Sequence, residues 1–351
     1  MLILGIETSC DETAAAVVRD GREILSNVVV SQIDIFAEYG GVIPEVAARS
    51  HLEVMLPVVD KALADAEVTW DEIDAIAVTH APGLLGSLLI GTLTARTLAI
   101  LHEKPLYAVH HLKSHVYANW LNPKHAVSDE AHLGAEYPEF PLLALVVSGG
   151  HTQILYMPAH NQFEIIGTTH DDAVGECFDK VAKILGLPYP GGPSIAKAAS
   201  ANANKYPLPH PKVEGLDFSF SGLKTAVLRA VQKEVGVPIS YPSHKLKELL
   251  TPEQVADFAA SFQKTAVEIL KEKMEIALRE YPDTKSVVVA GGVSANEELR
   301  KIFPEAYFPA PTLSGDNGAM VAAAAYFEIQ AGVLPTDPYT LNIYPRVSIE
   351  E

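Results

Sequence analysis

His111 and His115 stand four residues apart in VHHLKSH, and on a helix that spacing puts two imidazoles on one face, close enough to share a metal ion. A metalloprotease built on the same spacing needs HExxH, with a glutamate beside the first histidine as general base, and Leu112 stands there instead. Two local ligands are too few for a metal site, so a third has to come from a distant part of the chain. Asp316, between the turn Leu313-Ser314-Gly315 and the alanine-rich AMVAAAAYF, offers one. Its other reading is the N-cap of the helix that follows.

Two further groups of residues could do chemistry. Ser148-Gly149-Gly150, Gly191-Gly192 and Gly291-Gly292 are turns in which the missing Cβ lets backbone amides approach an anion, although tight turns use glycine regardless of ligands. None of them fits GxxxxGK[ST] or GxGxxG, which excludes a P-loop and a dinucleotide fingerprint. Asp11 and Glu12 crowd a first polar turn, and Asp172, Glu176 and Asp179 are spaced i, i+4, i+7, so that on a helix they share a face. Such a face needs a metal, a ribose or a lysine to offset its repulsion, and Lys180 and Lys183 are near; the plainer reading is an exposed acidic first turn of a helix.

The elements that must position these groups alternate between strand and helix. MLILGIETS and TAAAVV read as two strands joined by the Thr8–Glu12 turn, and LLALVV with TQILYM repeats that hairpin around Ser148–His151. SHLEVMLPVVDKALADA, SLLIGTLTARTLAILHE and HLKSHVYANWL carry helical patterning, DAIAVTHA and KPLYAVH are strand-like, and KSVVVAGGVSANEELRKIF is a strand, a glycine turn and a helix. The pattern implies an α/β protein with ligand turns at strand ends, and two related halves would put those turns on facing walls of one cleft. The polar, proline-bearing stretch 122–141 is the natural link between the halves.

Bulk properties bound what such a cleft can serve. At 351 residues and 48% hydrophobic, the chain can bury two cores, and it has no apolar run of the roughly 18 residues that a membrane span needs. Glu7 directly follows MLILGI, which therefore reads as a first strand and not a signal peptide. Cys10 and Cys177 are too few for a disulfide framework and favour a cytoplasmic setting. A formal net charge of -18 argues against a polyanionic partner, but residues 180–250 hold ten basic side chains against four acidic ones. That excess is either a solvated lysine surface or an electrostatic footprint for RNA.

The motifs GIETSCDETAAAVV, GGVIPEVAARSHLE, THAPGLLGSLLIG, VHHLKSH, LVVSGGHTQI, GECFDKVAKILGLPYPGGP, FSFSGLKTA, VVAGGVSAN and DNGAM occur in that order. Together they resemble the tRNA adenosine threonylcarbamoyltransferase family, bacterial TsaD type, formerly called O-sialoglycoprotein endopeptidases. The resemblance runs from Ile3 to about Phe327; Ser114, where the family usually has alanine or glycine, is a minor departure. It implies an actin-like, sugar-kinase-like fold of two lobes, an N-terminal lobe at 1–125 joined by a C-terminal helix at 318–351, and a C-terminal lobe at 126–317 with a helical insertion around 195–260. It also implies transfer of a threonylcarbamoyl group from threonylcarbamoyl-AMP to N6 of the adenosine beside the anticodon, in tRNAs reading codons that begin with A, with release of AMP.

By the same resemblance His111, His115 and Asp316 are metal ligands for one divalent ion, iron(II) first and zinc as the alternative. Val146, Val147, Ser148, Gly149 and Gly150 form a substrate loop, joined by Asp179, Gly192 and Asn296, while Asp11 and Glu12 sit near the reaction centre, where either could accept a proton. His110 should face away from the ligands, as packing or support. The implied partners are tRNA, a TsaB-type paralogue docking on the N-terminal lobe helices, and a TsaE-type ATPase, with a TsaC-type synthase making the adenylate and no membrane involved. The competing readings are a kinase or ATPase of the same fold, a metalloprotease, and a silent scaffold in a tRNA-modifying complex.

Overall fold

Two mixed sheets frame the molecule in a computed structural model that describes residues 1–121, 137–199, 204–211 and 213–350. The first sheet holds β1 (Leu2–Glu7), β2 (Glu12–Arg19), β3 (Glu23–Ser31), β4 (Ala75–Ala81) and β5 (Leu106–His110) in the order β3-β2-β1-β4-β5. β1 and β2, and β2 and β3, pair antiparallel, while β1, β4 and β5 run parallel. The second sheet, of β6 (Leu142–Val147), β7 (Thr152–Met157), β8 (Glu164–Thr168) and β9 (Ser286–Ala290), has the order β8-β7-β6-β9 and repeats the same pattern of antiparallel hairpins beside a parallel neighbour. The duplicated hairpin seen in the sequence is thus the leading half of two equivalent sheets, the arrangement of the actin-like, sugar-kinase-like fold. The expected link at 122–141 lies for most of its length, 122–136, outside the described residues.

Helices cover both faces of each sheet, which is why LILGIE and LLALVV read as continuous apolar runs and not as alternating ones. After the short α1 (Ile33–Ala37), α2 (Pro44–Ala66) and α3 (Leu85–Leu101) pack Met55, Val58, Val59, Ala62 and Ala95 against Leu4 and Ile6. Ile3, on the other face, belongs to a central core that contains α4 (His111–Tyr117), α10 (Gly318–Gln330) and the inward side chains Leu142, Ala144 and Val146 of β6. The intervening residues Leu143, Leu145 and Val147 meet α5 (Val174–Leu185), α6 (Gly191–Ala198), α7 (Ser221–Glu234), α8 (Pro252–Glu280) and α9 (Glu297–Ile302) in the outer core of the second lobe. The layers therefore run helix, sheet, helix, sheet, helix, with α4 and α10 in the middle.

α10 crosses the first sheet at its closest point through two glycines. A Cβ on Gly5 would stand 2.2 Å from Gly318 O, and one on Gly318 would stand 2.6 Å from Ala16 N, so no larger residue fits at either place. The helix is shorter than the sequence reading expected: it ends at Gln330, not at 351, where Gly332 takes φ +87° and the chain turns back. The returning tail touches both sheets, with Thr336 N donating to Leu106 O at 2.7 Å and Ile165 N to Glu350 Oε1 at 2.9 Å. No helix among the described residues is long and apolar enough to cross a membrane.

Candidate metal centre

The β1–β2 turn and the β6–β7 turn face each other across a cleft of about 1440 Å³. Ser9 to Glu12 form one wall and Ser148 to His151 the other; His111, Asp179, Gly192, Asn296 and Asp316 also line it. At its inner end β5 hands over to α4, where His110 caps the helix by accepting from Leu112 N on Nδ1 at 3.2 Å. Burial pushes His110 down to about 3, which keeps that lone pair available. The histidine that resembled its neighbours in sequence is therefore the helix cap, and it turns His111 and His115 toward α10.

One ligand atom from each of His111, His115 and Asp316 lies within 4.8 Å of the others. Asp316 Oδ1 is 3.6 Å from His111 Nε2 and 3.1 Å from His115 Nε2, and the two rings stand 4.6 Å apart at 79°. Among the described residues Nδ1 of the buried His115 lacks a hydrogen-bond partner, and its Nε2 faces only Asp316, an arrangement that suits a metal ligand better than a packing role. Asp316 is free for this because the N-cap of α10 is the next residue: Asn317 Oδ1 accepts from Met320 N at 3.0 Å. His111 and Asp316 reach the cleft while His115 lies beneath, so the cluster opens on one side only.

A buried carboxylate that the sequence reading missed stands behind His111. Glu7 closes β1 with no exposed surface, its Oε2 3.2 Å from His111 Nδ1, and it accepts from Thr79 Oγ1 at 2.5 Å and from the Ser9 amide. Ser9 Oγ also lies 3.2 Å from His111 Nδ1. Supports of this kind orient a ligating imidazole. Burial opposes a charge on His111, but Asp316 and Glu7 outweigh it and hold the ring at about 9; desolvation likewise opposes the charge of the partly buried Asp316, but His111 and His115 draw it down to about 2. A cation entering here has to displace the His111 proton, so its affinity falls as pH falls.

Residues 23–323 match the family model of TsaD, tRNA N6-adenosine threonylcarbamoyltransferase. A protein of that name from Symbiobacterium thermophilum is 49% identical over 343 residues, covering 95% of this chain and 93% of its own, and one from Thermomicrobium roseum is 49% identical over 347 residues with the same coverage. The chain belongs to the tRNA N6-adenosine threonylcarbamoyltransferase family. Among solved structures, the (R)-2-hydroxyglutaryl-CoA dehydratase component A of Acidaminococcus fermentans aligns over 94% of this chain and 99% of that one at 14% identity and TM-score 0.49, a likeness too slight to bear on function. The transferase acts on tRNA, and the kinase, protease and scaffold readings are not favoured.

The transferase does not present all its expected substrate residues in the same way. Val146 and Val147 lie inside β6 with both side chains wholly buried in opposite cores, so neither side chain reaches the cleft. Within the β6–β7 turn, Ser148 N donates to His151 O at 2.9 Å and Gly150 N to Ser148 Oγ at 3.3 Å; among the described residues only the Gly149 amide of the three has no acceptor within the chain. A Cβ on Gly149, Gly150 or Gly192 would meet nothing within 4 Å, which leaves the cleft open beside all three. Asp179 Oδ1 accepts from Gly191 N at 2.6 Å, and burial raises its pKa. Asn296 spends Oδ1 on capping α9 through Leu299 N at 3.1 Å, while its Nδ2 donates to Gln263 Oε1 at 2.9 Å.

Asp11 and Glu12 meet the cleft together, and Ser31 Oγ donates to Glu12 Oε1 at 3.0 Å. Burial, then the charges of Asp316 and Asp11, push Glu12 up to about 9, so without a bound cation it holds a proton at neutral pH. The shared acidic helix face expected of Asp172, Glu176 and Asp179 does not form, because α5 begins at Val174 and Asp172 precedes its cap. Lys180 bridges Asp172 at 2.6 Å and Glu176 at 2.8 Å instead. The basic excess of 180–250 shrinks accordingly: Lys180 is paired, Lys205 pairs with Asp257, Lys224 lies 3.6 Å from Asp172, and Lys212 is outside the described residues. The missed Glu7 had a signal, a single charge ending an otherwise apolar strand; His151, Tyr189 and Pro345 to Val347, which also line the cleft, had none beyond their neighbours.

Proposed function

We propose that the cleft takes threonylcarbamoyl-AMP as donor and that the acceptor is N6 of the adenosine beside the anticodon. The observation that carries this reading is the His111, His115 and Asp316 cluster at the inner end of a cleft walled by one acidic turn and one glycine turn. The reaction forms a bond from N6 to the carbamoyl carbon, breaks the bond from that carbon to the phosphate oxygen, and releases AMP and a proton.

His111, His115 and Asp316 would hold one divalent ion, iron(II) or zinc, which as a Lewis acid would stabilise charge developing on the acyl or phosphate oxygens. The Gly149 amide has the free donor that an anionic oxygen requires, and the bare surface of Gly149, Gly150 and Gly192 leaves room for it. Asp179 suits a ribose hydroxyl, and the second lone pair of Asn296 Oδ1 or the second Nδ2 hydrogen suits the adenine edge. Asp11 or Glu12 takes the proton that N6 loses; for Glu12, protonated when alone, this requires ionisation in the loaded site.

The acceptor enters from solvent, in the cytoplasm, with a TsaB-type paralogue and a TsaE-type ATPase as partners. The exposed leucines Leu52 and Leu56 of α2 and Leu85, Leu89 and Leu93 of α3, each set four apart, support a protein partner on these helices. The decisive experiment is single-turnover transfer of a labelled threonylcarbamoyl group from its adenylate to tRNA, with metal content measured on the same sample. Transfer that persists in full after the metal is stripped, or transfer that requires ATP in place of the adenylate, defeats the reading.

A further inference from the structure

The first wall of the cleft is held from behind at one atom. The carbonyl oxygen of Cys10, directly before Asp11 and Glu12, accepts from His51 Nε2 on α2 at 2.9 Å and from Ser87 Oγ on α3 at 3.1 Å. Because a carbonyl only accepts, Nε2 carries the hydrogen of His51, and the opposite nitrogen, Nδ1, accepts from Thr13 Oγ1 at 2.7 Å. The ring is wholly buried, as are Thr13 and Ser87. One imidazole therefore ties both ends of the Asp11–Glu12 step, Cys10 before it and Thr13 after it, to a single helix. Burial lowers the pKa of His51, in keeping with a neutral ring that uses one nitrogen as donor and the other as acceptor.

We propose that His51 is a positioning residue of the transfer reaction, fixing through Cys10 and Thr13 the backbone that aims Asp11 and Glu12 into the cleft. The inference rests on the reading that one of those carboxylates takes part in transfer. Its physical basis is that an apolar residue of similar size would fill the space but leave the Thr13 hydroxyl unpaired and the Cys10 carbonyl held from one side only. The turn would then relax by a fraction of an ångström, and such a displacement near reacting atoms is felt in the chemical step before it is felt in binding. Among the described residues no hydrogen bond joins His111, His115 or Asp316 to His51, Cys10, Thr13 or Ser87, so metal retention separates this network from a general loss of structure.

The test uses the full-length, metal-loaded enzyme with donor adenylate and tRNA. In His51→Leu, kcat should fall by about 10- to 100-fold, while the KM for the adenylate stays within about two-fold and metal content is unchanged. His51→Gln, whose amide can donate to Cys10 and accept from Thr13, should recover most of the loss. Loss of kcat in proportion to lost metal or lost folded protein, or failure of His51→Gln to rescue while it remains folded and metal-bound, overturns the proposal. Should His51→Leu not fold, Ser87→Ala loosens the same carbonyl without opening a large cavity; a kcat reduced by about three-fold or more supports the proposal and an unchanged kcat overturns it.

Combining His51→Leu with Asp11→Asn or Glu12→Gln separates this inference from the reading beneath it. A double variant no slower than the slower single shows that His51 acts through that carboxylate. Full additivity defeats the positioning role alone. Silence of both carboxylate variants defeats the reading and the proposal together.

Discussion

The β1–β2 turn and the β6–β7 turn occupy equivalent places in two sheets of the same topology, yet they are built in opposite ways. The first is charged and tethered from outside: His51 and Ser87 hold the Cys10 carbonyl, Gln32 N donates to Asp11 O at 3.1 Å, and Leu84 N to Ser9 O at 2.8 Å. The second is bare and largely held by itself, through the Ser148 hydroxyl and the pairing of Ser148 N with His151 O. Two similar frames thus carry different side chains: one wall presents carboxylates on a tethered backbone, the other an amide and open space. The cluster of His111, His115 and Asp316 belongs to neither turn. It hangs on α4 and the start of α10, the middle layer between the sheets.

Removing that middle element should have the largest effect. Asp316→Ala should lower threonylcarbamoyl transfer by at least about 100-fold and lose the bound metal, measured by single-turnover transfer and elemental analysis; the walls alone should not sustain the reaction. An intact rate would mean that the two turns are sufficient and would break the contrast described above.

A smaller effect is expected from crowding the bare wall. Gly149→Ala places a methyl group where nothing lies within 4 Å, so the fold should be unaffected, with Tm within about 2 °C of the parent. Donor KM should rise about ten-fold, equivalent to about 1.4 kcal/mol of lost binding. Unchanged donor kinetics would move substrate recognition away from this turn.

The smallest effect concerns the charged wall and is read as stability. Glu12 has its pKa raised from an ordinary 4.5 to about 9, so between those values the native metal-free protein binds a proton that the unfolded chain has released. Its contribution therefore becomes less favourable as pH rises through that window and disappears below it. Glu12→Gln should make the metal-free protein more stable than the parent at pH 8, with the gap closing toward pH 4, as followed by denaturant unfolding. A gap that widens toward acid would show that Glu12 is ionised in the native wall.

What could be read from the sequence tracks the range of the interactions involved. The histidine pair depends on one turn of one helix, and the duplicated hairpins depend on local apolar patterning, so both were legible. Asp316 was legible only as one of two readings, since the choice between ligand and cap was made by Asn317, which took the cap. Glu7 and His51 were not read as parts of a site, because each acquires its role from a partner far along the chain, His111 in the one case and Cys10 in the other. Asp172 was misplaced by a helix boundary, which spacing alone does not determine, and the lysine excess was overestimated because ion pairs form across elements. Resemblance assigns Val146 and Val147 to a substrate loop, and strand alternation, which that resemblance does not display, sends their side chains into two cores.

The Gly5 and Gly318 crossing has a further consequence. The spacing between Asp316 and the two histidines is not gauged by any atom of the ligands themselves; it follows from how deeply α10 settles on β1, where two residues without side chains meet. The reach of the Asp316 carboxylate toward the two histidines is thus set two residues further along the chain, where backbone lies directly on backbone.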